Sequence, residues 1–124
     1  MRIYHCEVCK NVAVNLFDGG GALNCCSKPM IELKAGVTDG AWEKHVPALT
    51  LEGDMLTVQV GETAHPMMSA HYIQFILAEQ EDKVQYALLS PEKDPKAFFV
   101  IQPEKPVTVY EYCNLHGLWT ATLQ

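Results

Sequence analysis

No run of about 18 apolar residues occurs in the chain, so it lacks the length of a membrane-spanning helix. It also lacks any cluster of Lys and Arg. Nine basic side chains against fifteen acidic ones leave a formal charge of -6, the wrong sign for a surface that tracks phosphates. Nucleic acid and anionic membrane are therefore excluded as expected partners. The stretch Met1-Arg2-Ile3-Tyr4-His5-Cys6 has none of the apolar character of a secretory signal, whose core runs about 7–15 residues. A cytoplasmic location is expected, where thiols stay reduced. There is no internal repeat, no low-complexity tract and no segment with both a helical period and caps. What remains is 124 residues, 48% hydrophobic and 19% charged, enough for one compact domain or a small domain plus a stapled module.

The cysteines divide the chain. Four lie in Cys6-Glu7-Val8-Cys9 and Asn24-Cys25-Cys26-Ser27-Lys28-Pro29-Met30, and the fifth is Cys113. Between the groups, Lys34 to Ala41 holds two glycines and no apolar periodicity, which reads as a linker with a boundary near Gly36. Beyond it the pattern is strand after strand: 49–51, 55–60, 72–78, 84–89, 97–101, 107–112 and 118–123. Leu56, Val58 and Val60 alternate with Thr57 and Gln59, as in half-buried strands. Glu52-Gly53-Asp54 signals a hairpin, and Pro91, Pro95, Pro103 and Pro106 fall between runs. The expectation is a mainly β chain: a small metal module over residues 1–36, then an antiparallel sandwich over 37–124.

Cys6, Cys9, Cys25 and Cys26 supply four sulfurs, the number a tetrahedral ion needs, from a segment too short to fold on its own core. Adjacent cysteines reach one ion only if the backbone bends between them. Iron and zinc both tolerate the resulting angles, so a structural zinc ribbon is the plainer alternative. A vicinal disulfide is disfavoured by the compartment.

The second constellation is Glu43-Lys44-His45-Val46-Pro47, His65-Pro66-Met67, His71, and Cys113-Asn114-Leu115-His116-Gly117. A lone histidine is more often a surface or satisfied core residue than a ligand. Here four of them stand beside turn residues or strand ends, where rigid strands can aim several rings at one point. Four neutral imidazoles and one thiolate make five donors, which leaves an octahedral ion one open position. Zinc rarely takes five protein ligands, and iron does. A thiolate opposite the open position pushes electron density toward whatever binds there.

With these motifs in place, the sequence resembles the two-iron superoxide reductases called desulfoferrodoxins over essentially its whole length. Cys6-x-x-Cys9 with Cys25-Cys26-x-Lys-Pro-Met resembles the desulforedoxin-type, rubredoxin-like module. Glu-Lys-His-Val-Pro, His-Pro-Met, the later His71 and Cys-Asn-Leu-His-Gly-Leu-Trp resemble the catalytic domain. The resemblance implies an immunoglobulin-like sandwich and two iron ions per chain. One would be held by Cys6, Cys9, Cys25 and Cys26, the other by His45, His65, His71, His116 and axial Cys113. Glu43 would take the sixth position of ferric iron, with Lys44 near the open site. The implied reaction is one-electron reduction of superoxide to hydrogen peroxide, with electrons from rubredoxin or a similar small donor, in a homodimer. A superoxide dismutase, an electron-transfer iron protein and a zinc-stabilised structural protein are the competing readings. Lys10 and Ser27 stand where the module often has glycine; if those positions need positive φ, each costs about 1 kcal/mol or more.

Overall fold

A computed structural model describes residues 1–38 and 40–124; Asp39, in the stretch read as a linker, lies outside the described residues. The chain divides into two compact units, Met1–Lys34 and Ala35–Gln124.

The first unit consists of β1 (Arg2–His5), β2 (Val12–Asn15), β3 (Asn24–Cys25), β4 (Lys28–Pro29) and β5 (Ile31–Glu32). β1 lies between β2 and β5 and is antiparallel to both, while β3 and β4 form a separate tight hairpin. Of its apolar side chains, only Ile3 and Cys6 are fully buried. So small a core leaves most of the folding free energy of this unit to be supplied in another way.

The second unit begins with a single helical turn, α1 (Trp42–His45), and continues as seven strands: β6 (Pro47–Glu52), β7 (Met55–Val60), β8 (Ile73–Gln80), β9 (Lys83–Leu88), β10 (Lys96–Val100), β11 (Val107–Cys113) and β12 (Gly117–Leu123). They form two antiparallel sheets, β10-β7-β6 and β12-β11-β8-β9, a three-on-four sandwich of the immunoglobulin-like kind. Alternation sets the faces. Leu56, Val58 and Val60 of β7 and Ala97 and Phe99 of β10 meet Ile73, Ile76 and Ala78 of β8 and Val107 and Val109 of β11 in one core. Each such aliphatic side chain, fully buried, contributes about 1.5–3 kcal/mol. The hairpin expected at Gly53 is there: Glu52 pairs with Met55, and Gly53 takes φ +60, a value glycine adopts without a steric penalty.

The strand ends of the second unit lie within two residues of the sequence reading, and two differences have a physical reason. α1 was not expected, because four residues make one turn and carry no period; its N-cap, Ala41, makes no side-chain cap. β6 begins at Pro47 rather than at Leu49, and a first strand position suits a residue without an N–H. Among the described residues no helix is long and apolar enough to cross a membrane.

Candidate metal centres

Two groups of potential donors converge, each with its donor atoms within 4.8 Å of one another: Cys6, Cys9, Cys25 and Cys26 in the first unit, and His45, His65, His71, Cys113 and His116 in the second.

In the first, the loop after β1 folds back so that the Cys6 N–H donates to the Asn11 carbonyl (2.9 Å) and the Lys10 N–H to the Cys6 carbonyl (3.0 Å). Lys10 takes φ 68 to allow it. The adjacent cysteines meet the requirement for a bend: Cys26 (φ 53) and Ser27 (φ 62) are the two central residues of the β3–β4 hairpin. Two consecutive positive φ values make a type I′ turn, which glycine or asparagine usually occupies. The strain anticipated at Lys10 and Ser27 is therefore present, and Cys26 shares it. The sulfurs of Cys9 and Cys25 lie 3.5 Å apart and those of Cys25 and Cys26 3.9 Å apart, far beyond a disulfide bond; all five cysteines are free thiols.

The ionisation of the four sulfurs is uneven. The backbone N–H of Cys9, helped by that of Val8, lowers the Cys6 thiol to about 6. The neighbouring thiols of Cys9, Cys6 and Cys25 push Cys26 up to about 12. One thiolate forms readily and a full set does not, unless a cation compensates the charge. This donor set fits a tetrahedral ion.

The second group has a more specific geometry. Neighbouring ring centroids are 4.7 Å apart for His45–His65, 4.7 Å for His65–His71, 5.0 Å for His71–His116 and 4.7 Å for His116–His45, and His45–His71 is 6.5 Å across. Those lengths are the sides and diagonal of a square. Adjacent rings stand nearly perpendicular, at 71° to 84°, and the diagonal pair is nearly parallel, at 28°. Cys113 Sγ is the fifth donor, 3.8 Å from His116 Nδ1.

Each corner is held locally. His45 closes α1 and donates from Nδ1 to the Ala41 carbonyl at 2.7 Å; His65 donates from Nδ1 to the Pro66 carbonyl at 2.6 Å. These bonds fix the tautomer, leaving both Nε2 lone pairs pointing inward. His71 exchanges two backbone hydrogen bonds with Met68, of 2.9 and 3.0 Å. Cys113 ends the inward face of β11, which runs Val107, Val109, Glu111, Cys113, and a register shift between Tyr112 and Cys113 re-aims it. His116 lies in the three-residue loop that Gly117, at φ +80, closes back onto Cys113.

An ion fits here on chemical grounds. His45 Nε2 lies 3.2 Å from His65 Nε2 and 3.0 Å from His116 Nδ1. With the Nδ1 protons of His45 and His65 already committed, their two lone pairs face each other unless a cation lies between them. His71 Nε2 is buried with no partner, the condition of an orphaned metal ligand. Burial lowers the pKa of His45, His65 and His71, His65 to about 4, so these rings are neutral and ready to donate. Burial raises the Cys113 thiol, with partial relief from the N–H groups of Leu115 and His116.

Glu43 and Lys44 are exposed on α1 and lie outside this donor cluster. The charge of Lys44 nevertheless contributes to the lowered pKa of both His45 and His71. The structure adds roles that sequence reasoning did not assign. Asn114 accepts from the Tyr72 N–H (2.9 Å) and donates to the Ala70 carbonyl (3.0 Å), bracing the Cys113–His116 loop against the flanks of His71. Gly61, at φ +81, passes directly beneath the backbone of Glu43 and Lys44. Only its position between turn residues could have marked it in the sequence.

Fold and site define a two-centre β-sandwich metalloprotein. Residues 37–122 match the family model described as desulfoferrodoxin, and residues 1–33 match the desulfoferrodoxin N-terminal domain. A desulfoferrodoxin of Syntrophotalea carbinolica is 43% identical over 121 residues, 98% of this chain and 95% of that one. A superoxide reductase of Pyrococcus abyssi is 33% identical over 112 residues, covering 74% of this chain and 97% of its own. The crystal structure of the superoxide reductase from Treponema pallidum superimposes with a TM-score of 0.78 at 28% identity, over 98% of this chain and 99% of that one. The chain belongs to the desulfoferrodoxin family, and both donor sets of that family's two-iron arrangement are present in it.

Proposed function

We propose that this protein is a superoxide reductase that delivers one electron to superoxide and releases hydrogen peroxide. Residues 1–36 form the four-cysteine iron module and residues 37–124 the catalytic domain. The observation that carries this reading is the square of imidazoles backed by one thiol: five donors, with no sixth His, Cys or carboxylate in the cluster among the described residues. The names of the Pyrococcus and Treponema relatives support it.

Iron bound in the square supplies the transferable electron and the positive charge that holds a small anion. The protein arranges the rest. The carbonyls of Ala41 and Pro66 keep the lone pairs of His45 and His65 turned inward. Cys113 would donate from the buried, core side, and a thiolate donor there would favour transfer of charge to a bound oxidant. The chain's formal charge of -6 repels superoxide at long range, and Lys44 provides the local positive focus that capture needs. Superoxide, one electron and two protons make hydrogen peroxide. His71 and His116 are only half-buried, so water reaches this side of the square and supplies the protons. His45, His65 and His71 are neutral at pH 7 and are not the source. The exposed carboxylate of Glu43, one residue from Lys44, would serve as the sixth donor to ferric iron.

The electron comes from rubredoxin or a similar small donor, and the chain works as a homodimer in the cytoplasm, a compartment that suits five free thiols. Replacing the Cys113 sulfur tests the reading. In the iron-loaded full chain, Cys113→Ser should abolish fast consumption of superoxide and the sulfur-to-iron absorption of the second site, while the four-cysteine colour persists. Full activity in that variant would overturn the assignment.

A further inference from the structure

Trp119 is 2% exposed, and both its ring face and its polar atom engage the histidine square. Its ring stacks on His45 with centroids 5.0 Å apart and planes at 29°. Its Nε1–H donates to the carbonyl of His116 at 3.0 Å, so the one polar atom of the indole is spent on the loop that carries the adjacent corner. One side chain thus grips the two corners whose ring nitrogens are 3.0 Å apart. The other two corners are tied through the Pro66 carbonyl and the Met68 backbone.

Two neighbours hold the indole in turn. A Cβ at Gly40 would lie 3.2 Å from both His45 Cε1 and Trp119 Cζ2 and 3.3 Å from His116 Cβ, so a side chain there would press on all three and a glycine lets them close together without that crowding. Trp42, 66% exposed, meets Trp119 edge to face at 5.4 Å and 82° and covers its outer edge. A histidine ring turns easily about its outer torsion, which is broad and roughly two-fold. A hydrogen bond at Nδ1 fixes which nitrogen points inward, and a wall along the ring face fixes the plane.

We propose that Trp119 is a positioning residue of the histidine–cysteine site, setting the ring plane of His45 and the placement of His116, with Gly40 and Trp42 holding it in register. The inference rests on the donor geometry and is independent of the reaction assigned to the site.

The test measures cobalt(II) affinity of the full chain by chelator competition, with the four-cysteine centre as internal reference, together with the sulfur-to-cobalt absorption of the Cys113 site. Removing an outer partner that orients a ligand weakens metal binding by about 10–100-fold. Trp119→Leu should show a loss of that size at the second site, with a shifted band and an unchanged four-cysteine centre. Trp42→Ala should act in the same direction and less. Phe99→Leu, a smaller side chain in the sandwich core at a β10 position paired with Leu56, should lower the melting temperature without changing cobalt affinity. If Trp119→Leu does not fold, Trp119→Phe decides: it keeps an aromatic wall, loses the bond to His116, and should bind cobalt several-fold more weakly with the band still shifted. Parental affinity and an unshifted band in whichever of the two variants folds would overturn the proposal, as would a loss matched by Phe99→Leu.

Discussion

Gly61 and Gly53 differ in one respect that a single methyl group can measure. Both have positive φ, +81 and +60, but a Cβ at Gly53 meets nothing within 4 Å, whereas at Gly61 it would lie 2.6 Å from the Glu43 carbonyl oxygen and from Lys44 Cα. Substitution by alanine costs about 1–2 kcal/mol at either site for the left-handed conformation. At Gly61 the obstacle is backbone and cannot swing aside. The Thr63 carbonyl oxygen is closer still, so the turn at Thr63 and α1 must be pushed apart, and overpacking of this kind adds about 1–3 kcal/mol. Gly53→Ala should therefore cost about 1–2 kcal/mol and Gly61→Ala about 2–5. Fluorescence-detected urea unfolding at fixed metal loading is a suitable assay, because both tryptophans, Trp42 and Trp119, lie in the second unit. The displacement also has a functional sign. The Thr63 N–H is bonded to the Glu43 carbonyl at 2.9 Å, so moving the turn misplaces Lys44 and should slow superoxide capture in Gly61→Ala while Gly53→Ala keeps the parental rate. Equal destabilisation by the two substitutions would refute the reasoning.

Glu111 is fully buried, neither carboxyl oxygen has a partner, and desolvation pushes its pKa up to about 9. Its acid is neutral in the fold and ionised in the unfolded chain above about 4.5, so it reduces stability progressively as pH rises from there toward 9. Glu111→Gln should gain on the parent by about 1.4 kcal/mol per pH unit across that window, measured as paired urea curves; a difference independent of pH would rule this out. Cys9→Ser should loosen the first unit, whose folding depends on metal, and leave the second unit's iron and its reaction with superoxide intact, read by iron content and hydrogen exchange. Lys44→Ala should slow the bimolecular reaction by roughly ten-fold and weaken or reverse its dependence on added salt; equal rates and equal salt slopes would remove Lys44 from the mechanism.

The sandwich was legible because alternation is a local property. Leu56, Val58 and Val60 announce β7 without reference to any other strand, and prolines and glycines punctuate the remaining strands. The short strands of the first unit were not legible: Asn24–Cys25 and Lys28–Pro29 are two residues each, too short for a period. The nine His and Cys donors could be named from residue type and spacing. Their square could not, since it depends on strand register bringing positions 45, 65, 71 and 116 together. Asn114 and Trp119 stood in the Cys-Asn-Leu-His-Gly-Leu-Trp motif, and Gly40 in the linker, without a role of their own; with Gly61 they act by packing or by bracing backbone, and a sequence shows neither. Conversely, the strain expected at Lys10 and Ser27 from missing glycines is present as positive φ at both.

The most direct measurement is the stoichiometry of a single superoxide pulse delivered to pre-reduced, iron-loaded protein, with peroxide, dioxygen and protein oxidation all counted. Reduction at the histidine square predicts one peroxide formed and one electron lost by the protein for each superoxide consumed, with no dioxygen. Dioxygen evolved in equal amount to peroxide, with no net oxidation of the protein, would contradict the account and make the chain a dismutase.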